Sequence, residues 1–236
     1  MNRDGQQHGQ ATAPWRLRLR SVARLAATVA VCGSCTAPSC MAPSCMAPSS
    51  MTPSRSPAPI ESAGQRAVTT LDGVPAAPLQ GRRGELALFV FLADGCPIAR
   101  TLSPEIERIG REAIESGMRV ALVYPDPFVK PDDIRAHNRE FGLTLPTLLD
   151  PAHLVVAAVG ASISPEAALI RFNADDGFEL LYRGRINNLY TAPGRRRPSA
   201  TTRDLAAAID AVLEGRMPDP ARTEAIGCVI EPLAAR

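Results

Sequence analysis

Two cysteines, Cys96 and Cys228, are the residues that could do redox chemistry in a folded domain, because residues 65–236 contain no other cysteine. Cys96 directly follows the apolar run of residues 85–92 and stands in the stretch Asp-Gly-Cys-Pro. A short, continuously apolar run predicts a buried strand of the parallel type. Cys96 therefore lies at the carboxyl edge of a predicted sheet, where α/β folds place their reactive groups.

The segment after Cys96 predicts a helix that favours the ionised form of its thiol. Pro97 suits the first position of a helix, and Gly117 suits its end. Unpaired amides and the positive end of the helix dipole stabilise a thiolate over a thiol. Asp94 and Gly95 indicate a turn, so we expect an accessible and reactive Cys96, with a buried and inert cysteine as the alternative. The predicted buried face of this helix comprises Ile98, Leu102, Ile106, Ile109 and Ala113.

Cys228 is the candidate redox partner of Cys96, since a local dithiol would need a second cysteine three residues on, where this chain has Ala99. The 13 residues from Gly215 to Cys228 can reach about 43 Å when extended, well beyond the roughly 15 Å radius of gyration of such a domain. Two thiols in an oxidising compartment pair more often than they stay apart. The pair then either cycles between dithiol and disulfide or forms a structural staple, and unpaired thiols are the third possibility.

The elements that position these cysteines follow the order βαβα and then ββα. Apolar periodicity and turn residues predict them, in chain order, at 85–92, 97–117, 118–126, 132–141, 143–151, 153–159, 166–172, 178–186 and 202–214. Thr201 and Asp204 are expected to form the capping box of the last helix. This order predicts parallel strands in the first half, an antiparallel pair in the second half, and helices on both faces.

The first 64 residues indicate export rather than a fold. Residues 1–31 combine five arginines and one acid with the apolar stretch Leu25–Val31, which is typical of an export signal. Residues 32–64 are rich in Pro, Ser and Ala and predict a disordered linker. Lipidation of Cys32 or Cys35 would tether the protein to the membrane. We expect no metal site in this linker, because a zinc site needs a fold around its cysteines, and we expect no cofactor.

The charge balance argues against nucleic acid as a partner. The chain has a formal net charge of +2, of which residues 1–31 contribute five arginines minus Asp4, or +4, so the rest carries about −2. The later cluster 195–197 lies between prolines in a predicted loop and is expected to be solvated. His137 and His153 are expected on the surface.

Four stretches of the sequence carry a resemblance to a known family. They are Asp-Gly-Cys-Pro at 94–97, SISPEAALI at 162–170, YRGRINN at 182–188 and TEAIGC at 223–228. The sequence resembles the thioredoxin superfamily, and more closely the redoxin branch that holds alkyl hydroperoxide reductase and TlpA-like proteins. The resemblance implies a thioredoxin-like three-layer α/β/α sandwich over residues 65–215, with a mixed central sheet that is parallel in its first half and antiparallel in its second. Residues 216–236 form a tail that carries Cys228.

Several family chemistries need residues that this chain lacks. Peroxiredoxins place a proline seven residues and a Ser or Thr three residues before the reactive cysteine, where this chain has Phe89 and Ala93. Slow oxidation of Cys96 to a sulfenic acid, as in a weak peroxidase, stays open as an alternative. A copper-carrying relative would need a cysteine at the position of Arg100.

Six further residues are expected to shape the site around Cys96. Arg183 and Arg185 alternate on one strand face, so both can point toward Cys96 and favour its thiolate, with exposed strand charges as the alternative. The resemblance implies that Pro165 follows a cis peptide bond and packs beside the active cysteine. The remaining three flank the cysteine in the chain: Asp94, Gly95 and Pro97.

We therefore expect an exported redoxin, in the periplasm or anchored on the outer side of the cytoplasmic membrane. Its partner is expected to be a protein that carries a thiol or a disulfide. Cys96 would be the nucleophile and Cys228 the resolving cysteine of the exchange. The alternative from another class is a non-catalytic binding or accessory module that keeps the fold and uses one disulfide for rigidity.

Overall fold

A six-stranded sheet lies at the centre of the folded domain in the computed structural model, which describes residues 67–175 and 177–233. The predicted export signal at 1–31 and the predicted linker at 32–64 lie outside the described residues and stay predictions. Within the described part of the chain, no helix is both long enough and apolar enough to cross a bilayer.

Helices and strands alternate in the predicted order, with short strands added. The helices of the described residues are α1 (Pro97–Glu115), α2 (Pro131–Glu140), α3 (Leu154–Val159) and α4 (Asp204–Leu213). The strands are β1 (Thr69–Thr70), β2 (Leu86–Phe91), β3 (Arg119–Tyr124), β4 (Thr147–Leu149), β5 (Ile163–Ser164), β6 (Glu166–Phe172), β7 (Phe178–Gly184), β8 (Tyr190–Ala192), β9 (Arg195–Arg196) and β10 (Cys228–Val229). Strand β6 has the predicted bounds, and the arginines of β9 are exposed as expected.

The central sheet combines parallel and antiparallel pairing, as the element order predicts. Its strand order is β1-β4-β3-β2-β6-β7. Strand β3 runs parallel to β2 and β4, whereas β6 runs antiparallel to β2 and β7. Phe91 at the end of β2 lies between Val123 of β3 and Glu166 of β6. The turn that holds Cys96 therefore emerges beside the start of β6.

Alternate side chains of β2 build an apolar layer on each face of the sheet. Leu88 and Val90 face the layer that contains α1, α2 and α4, whereas Phe89 and Phe91 face the layer that contains α3. The predicted face of α1 is buried in the first of these layers. The domain is therefore the expected three-layer α/β/α sandwich.

The start of α4 differs from the predicted capping box. Arg203 is the N-cap residue, and no side chain caps the helix. Asp204 instead accepts two hydrogen bonds from the Arg185 guanidinium, from Nε at 3.0 Å and Nη2 at 2.9 Å, and one from the Thr202 hydroxyl at 2.7 Å. A bidentate arginine competes strongly for a carboxylate, which explains why the reciprocal bond with Thr201 does not form.

Candidate active site

Cys96 is the N-cap residue of α1, and main-chain hydrogen bonds fix the loop that leads to it. The Cys96 N–H donates to the Ala93 carbonyl oxygen at 3.1 Å, and the Ala93 N–H donates to Ser164 Oγ at 2.7 Å. Pro97 occupies the first helical turn, as predicted. The end of β2 is thereby attached to Ser164, the last residue of β5.

The turn before Cys96 is closed by its own polar groups. The Gly95 N–H donates to Asp94 Oδ1 at 2.9 Å, and Arg100 Nε donates to the Asp94 carbonyl oxygen at 2.9 Å. The Arg100 guanidinium also lies 5.4 Å from the centre of the Phe141 ring. Asp94 and Gly95 therefore shape the turn and stand at the rim of the site.

The sulfur atoms of Cys96 and Cys228 lie 2.8 Å apart, and no disulfide bond joins them. The Cys228 thiol donates to the Cys96 sulfur, and the Cys96 thiol donates to the Ser164 carbonyl oxygen at 3.1 Å. The fold thus brings together two cysteines that are 132 residues apart in the sequence. A small side-chain movement is enough to join them in a disulfide.

Residues 219–230, here called the C-terminal strap, deliver Cys228 and are attached to the domain at two places. The first attachment is at the end of β7. There the Arg183 N–H donates to the Ala221 carbonyl oxygen at 3.0 Å, and the Thr223 N–H donates to the Arg183 carbonyl oxygen at 3.1 Å. The Thr223 hydroxyl also lies 2.7 Å from the Tyr182 hydroxyl. These bonds fix the strap five residues before Cys228.

The second attachment of the strap is a short antiparallel pairing of β10 with β5. Cys228 lies opposite Ser164, and the Ile230 N–H donates to the Ser162 carbonyl oxygen at 2.9 Å. Gly227 permits this approach, because a Cβ built on it would lie 2.0 Å from the Ser164 carbonyl oxygen. Backbone pairing, rather than the thiol itself, therefore positions Cys228.

Cys96 is buried, contrary to the expectation of an exposed turn cysteine. Its exposed fraction is 1%, while Cys228 is half-buried. The neighbouring turn is partly exposed as expected, but the strap and Ser164 enclose the sulfur. Burial, followed by the hydrogen bond to the Cys96 sulfur, raises the pKa of Cys228 to about 11. Cys228 is therefore protonated at neutral pH.

Arg183 and Arg185 each bind a carboxylate, and neither forms a hydrogen bond with the Cys96 sulfur. Arg183 Nε lies 3.3 Å from Glu166 Oε1. Arg185 forms the ion pair at the start of α4 described above. The alternation of strand faces ends at Gly184, whose φ of +156° marks the end of β7. The two arginines therefore do not share a face.

The Ser164–Pro165 peptide bond is cis, as the resemblance implied. Ser164 and Glu166 on either side of Pro165 are buried and hold the loop before β6, although neither was predicted as a site residue. The available signal concerned Glu166, which is a polar residue inside a stretch whose apolar pattern predicts a buried strand, whereas Ser164 lies outside that stretch.

His137 and His153 are buried, although both were expected on the surface. The Tyr124 hydroxyl donates to Asn138 Oδ1 at 2.8 Å, so His137 Nδ1, 3.0 Å from that hydroxyl, must donate to it. His137 Nε2 has no partner among the described residues. Burial lowers the pKa of His137. His153 Nε2 lies 3.0 Å from the carbonyl oxygen of Pro125.

The chemistry that this arrangement supports is two-electron exchange between a dithiol and a disulfide. One sulfur stands at the N-terminus of a long helix, and the other stands beside it on a separate segment. In the part of the chain that the structure describes, no group of three or more His, Cys, Asp or Glu side chains could hold a metal ion.

Comparison with known proteins gives neighbours in structure only, since no family model and no curated protein matches the chain. An uncharacterized conserved protein from Geobacillus kaustophilus aligns with a TM-score of 0.61 and 21% identity over 72% of this chain and 89% of that one. A hypothetical protein from Sinorhizobium meliloti 1021 aligns with a TM-score of 0.54 and 23% identity over 64% and 82%.

A secreted Mycobacterium tuberculosis disulfide oxidoreductase homologous to E. coli DsbE aligns with a TM-score of 0.42 and 17% identity over 62% of this chain and 96% of that one. The likeness to the first two neighbours, at 21% and 23% identity, speaks to the fold alone. The mixed sheet with central β2, the antiparallel β6–β7 pair and the helices on both faces agree with the architecture that the sequence resemblance implied. The chain has a thioredoxin-like fold.

Proposed function

We propose that this protein is a thiol–disulfide oxidoreductase in which Cys96 is the nucleophile and Cys228 the resolving cysteine. The observation that carries the proposal is the 2.8 Å separation of the two sulfurs at the C-terminal edge of the central sheet. The substrate class is a protein that carries a disulfide or, in the reverse direction, a dithiol. Asp94, Gly95, Pro97 and Pro165 shape the turn and the loop on either side of the reacting sulfur.

The exchange proceeds in two balanced steps. The Cys96 thiolate attacks one sulfur of the partner disulfide, a mixed disulfide forms, and the second partner sulfur leaves as a thiolate that takes up a proton. Cys228 then loses its proton and attacks the Cys96 sulfur. The Cys96–Cys228 disulfide forms, and the first partner sulfur leaves as a thiol. The partner gains two electrons and two protons, which the protein regains from a thiol reductant.

Cys96 is the better nucleophile of the pair for two physical reasons. The amides and dipole at the start of α1 favour negative charge on its sulfur. Cys228 keeps its proton at neutral pH and donates it to that sulfur in a hydrogen bond. Cys228 is therefore the hydrogen-bond donor of the pair and acts as the resolving thiol only after it loses its proton.

The strap must lift for a protein partner to reach Cys96, because this residue is 1% exposed. The 13 residues from Gly215 to Cys228 give the strap the length for this movement. Its attachments are a few hydrogen bonds to the end of β7 and a two-residue strand pairing, and attachments with so few contacts belong to the weaker end of local stabilities in a domain. Opening of the strap therefore belongs to the reaction cycle.

A trapping experiment with glutathione disulfide tests the proposal. Cys228→Ser should accumulate one glutathione on Cys96, while the wild-type chain should release glutathione and form the Cys96–Cys228 disulfide. Peptide mapping by mass spectrometry separates these sulfurs from the four N-terminal cysteines. Cys96→Ser is the control and should form neither product. Absence of both products in the wild-type and Cys228→Ser proteins would overturn the proposal.

The burial of Cys96 favours one second candidate, a binding module with a structural disulfide. In that case the pair would have a reduction potential below about −300 mV and would not exchange with glutathione. A pair that equilibrates with glutathione buffers above that potential supports the oxidoreductase. The same titration therefore separates the two candidates.

Export to the periplasm, or anchoring on the outer side of the cytoplasmic membrane, belongs to the same proposal. It is supported by the arginine-rich and apolar residues 1–31 and by the composition of residues 32–64. Mass spectrometry of the protein from fractionated cells gives its mature N-terminus and any lipid on Cys32 or Cys35. A full-length N-terminus in the cytoplasmic fraction would contradict export.

A further inference from the structure

We propose that Glu166 and Arg183 are positioning residues for Cys228. They hold the two attachments of the C-terminal strap at a fixed spacing, so that the Cys228 sulfur meets Cys96. This inference rests on the proposed function, because it assigns the pair to the closing of the Cys96–Cys228 disulfide. Both residues act through the strap rather than by contact with a sulfur.

Glu166 supports the strand on which Cys228 docks. Its side chain is 6% exposed and follows directly on Pro165. Oε2 accepts hydrogen bonds from the Ser162 N–H at 2.8 Å and from the Ile163 N–H at 3.3 Å. Ser162 and Ile163 present their own backbone to the strap, through the Ile230 N–H and through the pairing with Val229. The Glu166 carboxylate therefore fixes the shape of the second attachment.

Arg183 belongs to the first attachment and also reaches the second. Its main-chain N–H and carbonyl oxygen hold the strap at Ala221 and Thr223. Its side-chain Nε lies 3.3 Å from Glu166 Oε1, and Nη1 donates to the carbonyl oxygens of Val159, at 3.3 Å, and Gly160. Arg183 therefore binds the strap through its main chain and the end of α3 through its guanidinium.

The two attachments are linked through this ion pair over a short length of strap. Thr223 and Cys228 are five residues apart, so a relative shift of β7 and β5 moves the Cys228 sulfur. Glu166→Gln removes the negative charge that balances a partly buried guanidinium while keeping the shape of the side chain. An arginine side chain that has lost its counter-charge moves to bind water or another hydrogen-bond acceptor. The two attachments of the strap, at β7 and at β5, then move apart, and the strap no longer buries Cys96.

The test compares Glu166→Gln with wild type as full, reduced chains. The first readout is the rate of iodoacetamide modification of Cys96, measured by peptide mapping. The second is the effective concentration of Cys228 at Cys96, measured in glutathione redox buffers. We expect the modification rate of Cys96 to rise and the effective concentration of Cys228 to fall, each by about tenfold or more, because the variant breaks a partly buried charge pair.

Glu179→Gln is the matched control, because it removes the Arg171–Glu179 ion pair, 3.2 Å long, from the same two strands away from the strap. It should leave both readouts at the wild-type level. Arg183→Lys is the second variant, in case Glu166→Gln fails to fold. It keeps the positive charge and the main-chain bonds to the strap, loses the guanidinium fork, and should shift both readouts in the same direction.

A folded Glu166→Gln or Arg183→Lys protein with wild-type values of both readouts would overturn the inference. A lower melting temperature without a change in either readout would also overturn it, because the pair would then be merely structural. The iodoacetamide readout does not require the cysteines to cycle. A wild-type protein that fails to exchange with glutathione therefore refutes the proposed function, while the positioning of the strap is still tested.

Discussion

The proton of Cys228 distinguishes the two sulfurs of the site. Cys228 donates its S–H to Cys96 from surroundings that raise its pKa to about 11. Cys96 stands at the start of α1, where amides and the helix dipole favour negative charge. The hydrogen bond from Cys228 acts in the same direction, whereas the burial of Cys96 and the hydrogen bond that its own thiol donates to the Ser164 carbonyl oxygen favour the protonated form. The pair is therefore asymmetric before any partner binds.

Gly227 is the residue whose missing side chain lets the strap touch β5. A Cβ at this position would lie 2.0 Å from the Ser164 carbonyl oxygen and 2.6 Å from its carbonyl carbon. We predict that Gly227→Ala displaces β10 and separates the sulfurs of Cys96 and Cys228. Overpacking of this kind costs about 1–3 kcal/mol, so modification of Cys96 by iodoacetamide in the reduced protein should become about tenfold faster or more.

Gly177→Ala is the control for this substitution. A Cβ on Gly177 would meet no atom closer than 3.9 Å, and the residue lies in the β6–β7 hairpin, away from the strap. This variant should be modified at Cys96 at the wild-type rate. If Gly227→Ala and Gly177→Ala behave alike, the close approach of the strap does not position Cys228.

At the level of elements, a buried polar cluster joins α2 to β3. His137 of α2 hydrogen-bonds to Tyr124 of β3, and its ring packs on Phe141 with the centroids 4.9 Å apart. Protonation of His137 Nε2 would create a buried N–H with no acceptor among the described residues. Burial accordingly lowers its pKa, against the smaller and opposing effects of Asn138 and Asp94. This cluster makes the packing of α2 sensitive to acid.

We predict that acid weakens the domain through His137. An unfolded histidine titrates near pH 6.5, and the folded state keeps His137 neutral below that value. Its contribution to stability is therefore complete above about pH 6.5 and is lost as the pH falls toward the lowered pKa of the folded state. The slope is at most about 1.4 kcal/mol per pH unit. Urea unfolding between pH 7.5 and pH 5 measures it.

His137→Gln removes the titrating group while its amide can still donate to Tyr124. The variant should be less stable than wild type at neutral pH, but its stability should depend less on pH in this window. Asp94, Arg100 and Glu140, the charged groups that act on His137, are unchanged in the variant. A variant with the wild-type pH dependence would show that another group causes it.

Long elements with strong patterns could be predicted from the sequence, while short ones could not. Helix α1 and strand β6 each carry an apolar periodicity that fixes their faces and most of their bounds. Strands β5 and β10 have two residues each, so no local pattern marks them, and they exist only because the strap docks. The burial of Cys96 was missed for the same reason. The burial of His137 was missed because α2 is polar along most of its length.

At the scale of the whole molecule, the Cys96–Cys228 disulfide would close a loop of 132 residues. The chain-entropy model gives about 5 kcal/mol of stabilisation for a loop of this length, with lower values common in practice. We predict that the oxidised protein unfolds at a higher urea concentration than the reduced protein, with a gain of up to about 5 kcal/mol. Urea unfolding with and without dithiothreitol measures this gain.

Cys228→Ser is the control for the stabilisation by the disulfide. Its unfolding should be the same with and without dithiothreitol, apart from any effect of the N-terminal cysteines. A wild-type protein whose unfolding is unchanged by dithiothreitol would show that the bond does not constrain the unfolded chain. Peptide mapping of both samples establishes which sulfurs are joined before each measurement.

The distance along the chain between Cys96 and the strap that buries it has a consequence during biosynthesis. A ribosome adds roughly 5 to 20 residues per second, so the 132 residues that separate Cys96 from Cys228 need roughly 7 to 26 s. For that interval Cys96 has been made and the strap has not. The nascent polypeptide therefore depends on its surroundings, on the ribosome and on any chaperone that holds it, to protect a thiol that the finished protein shields by itself.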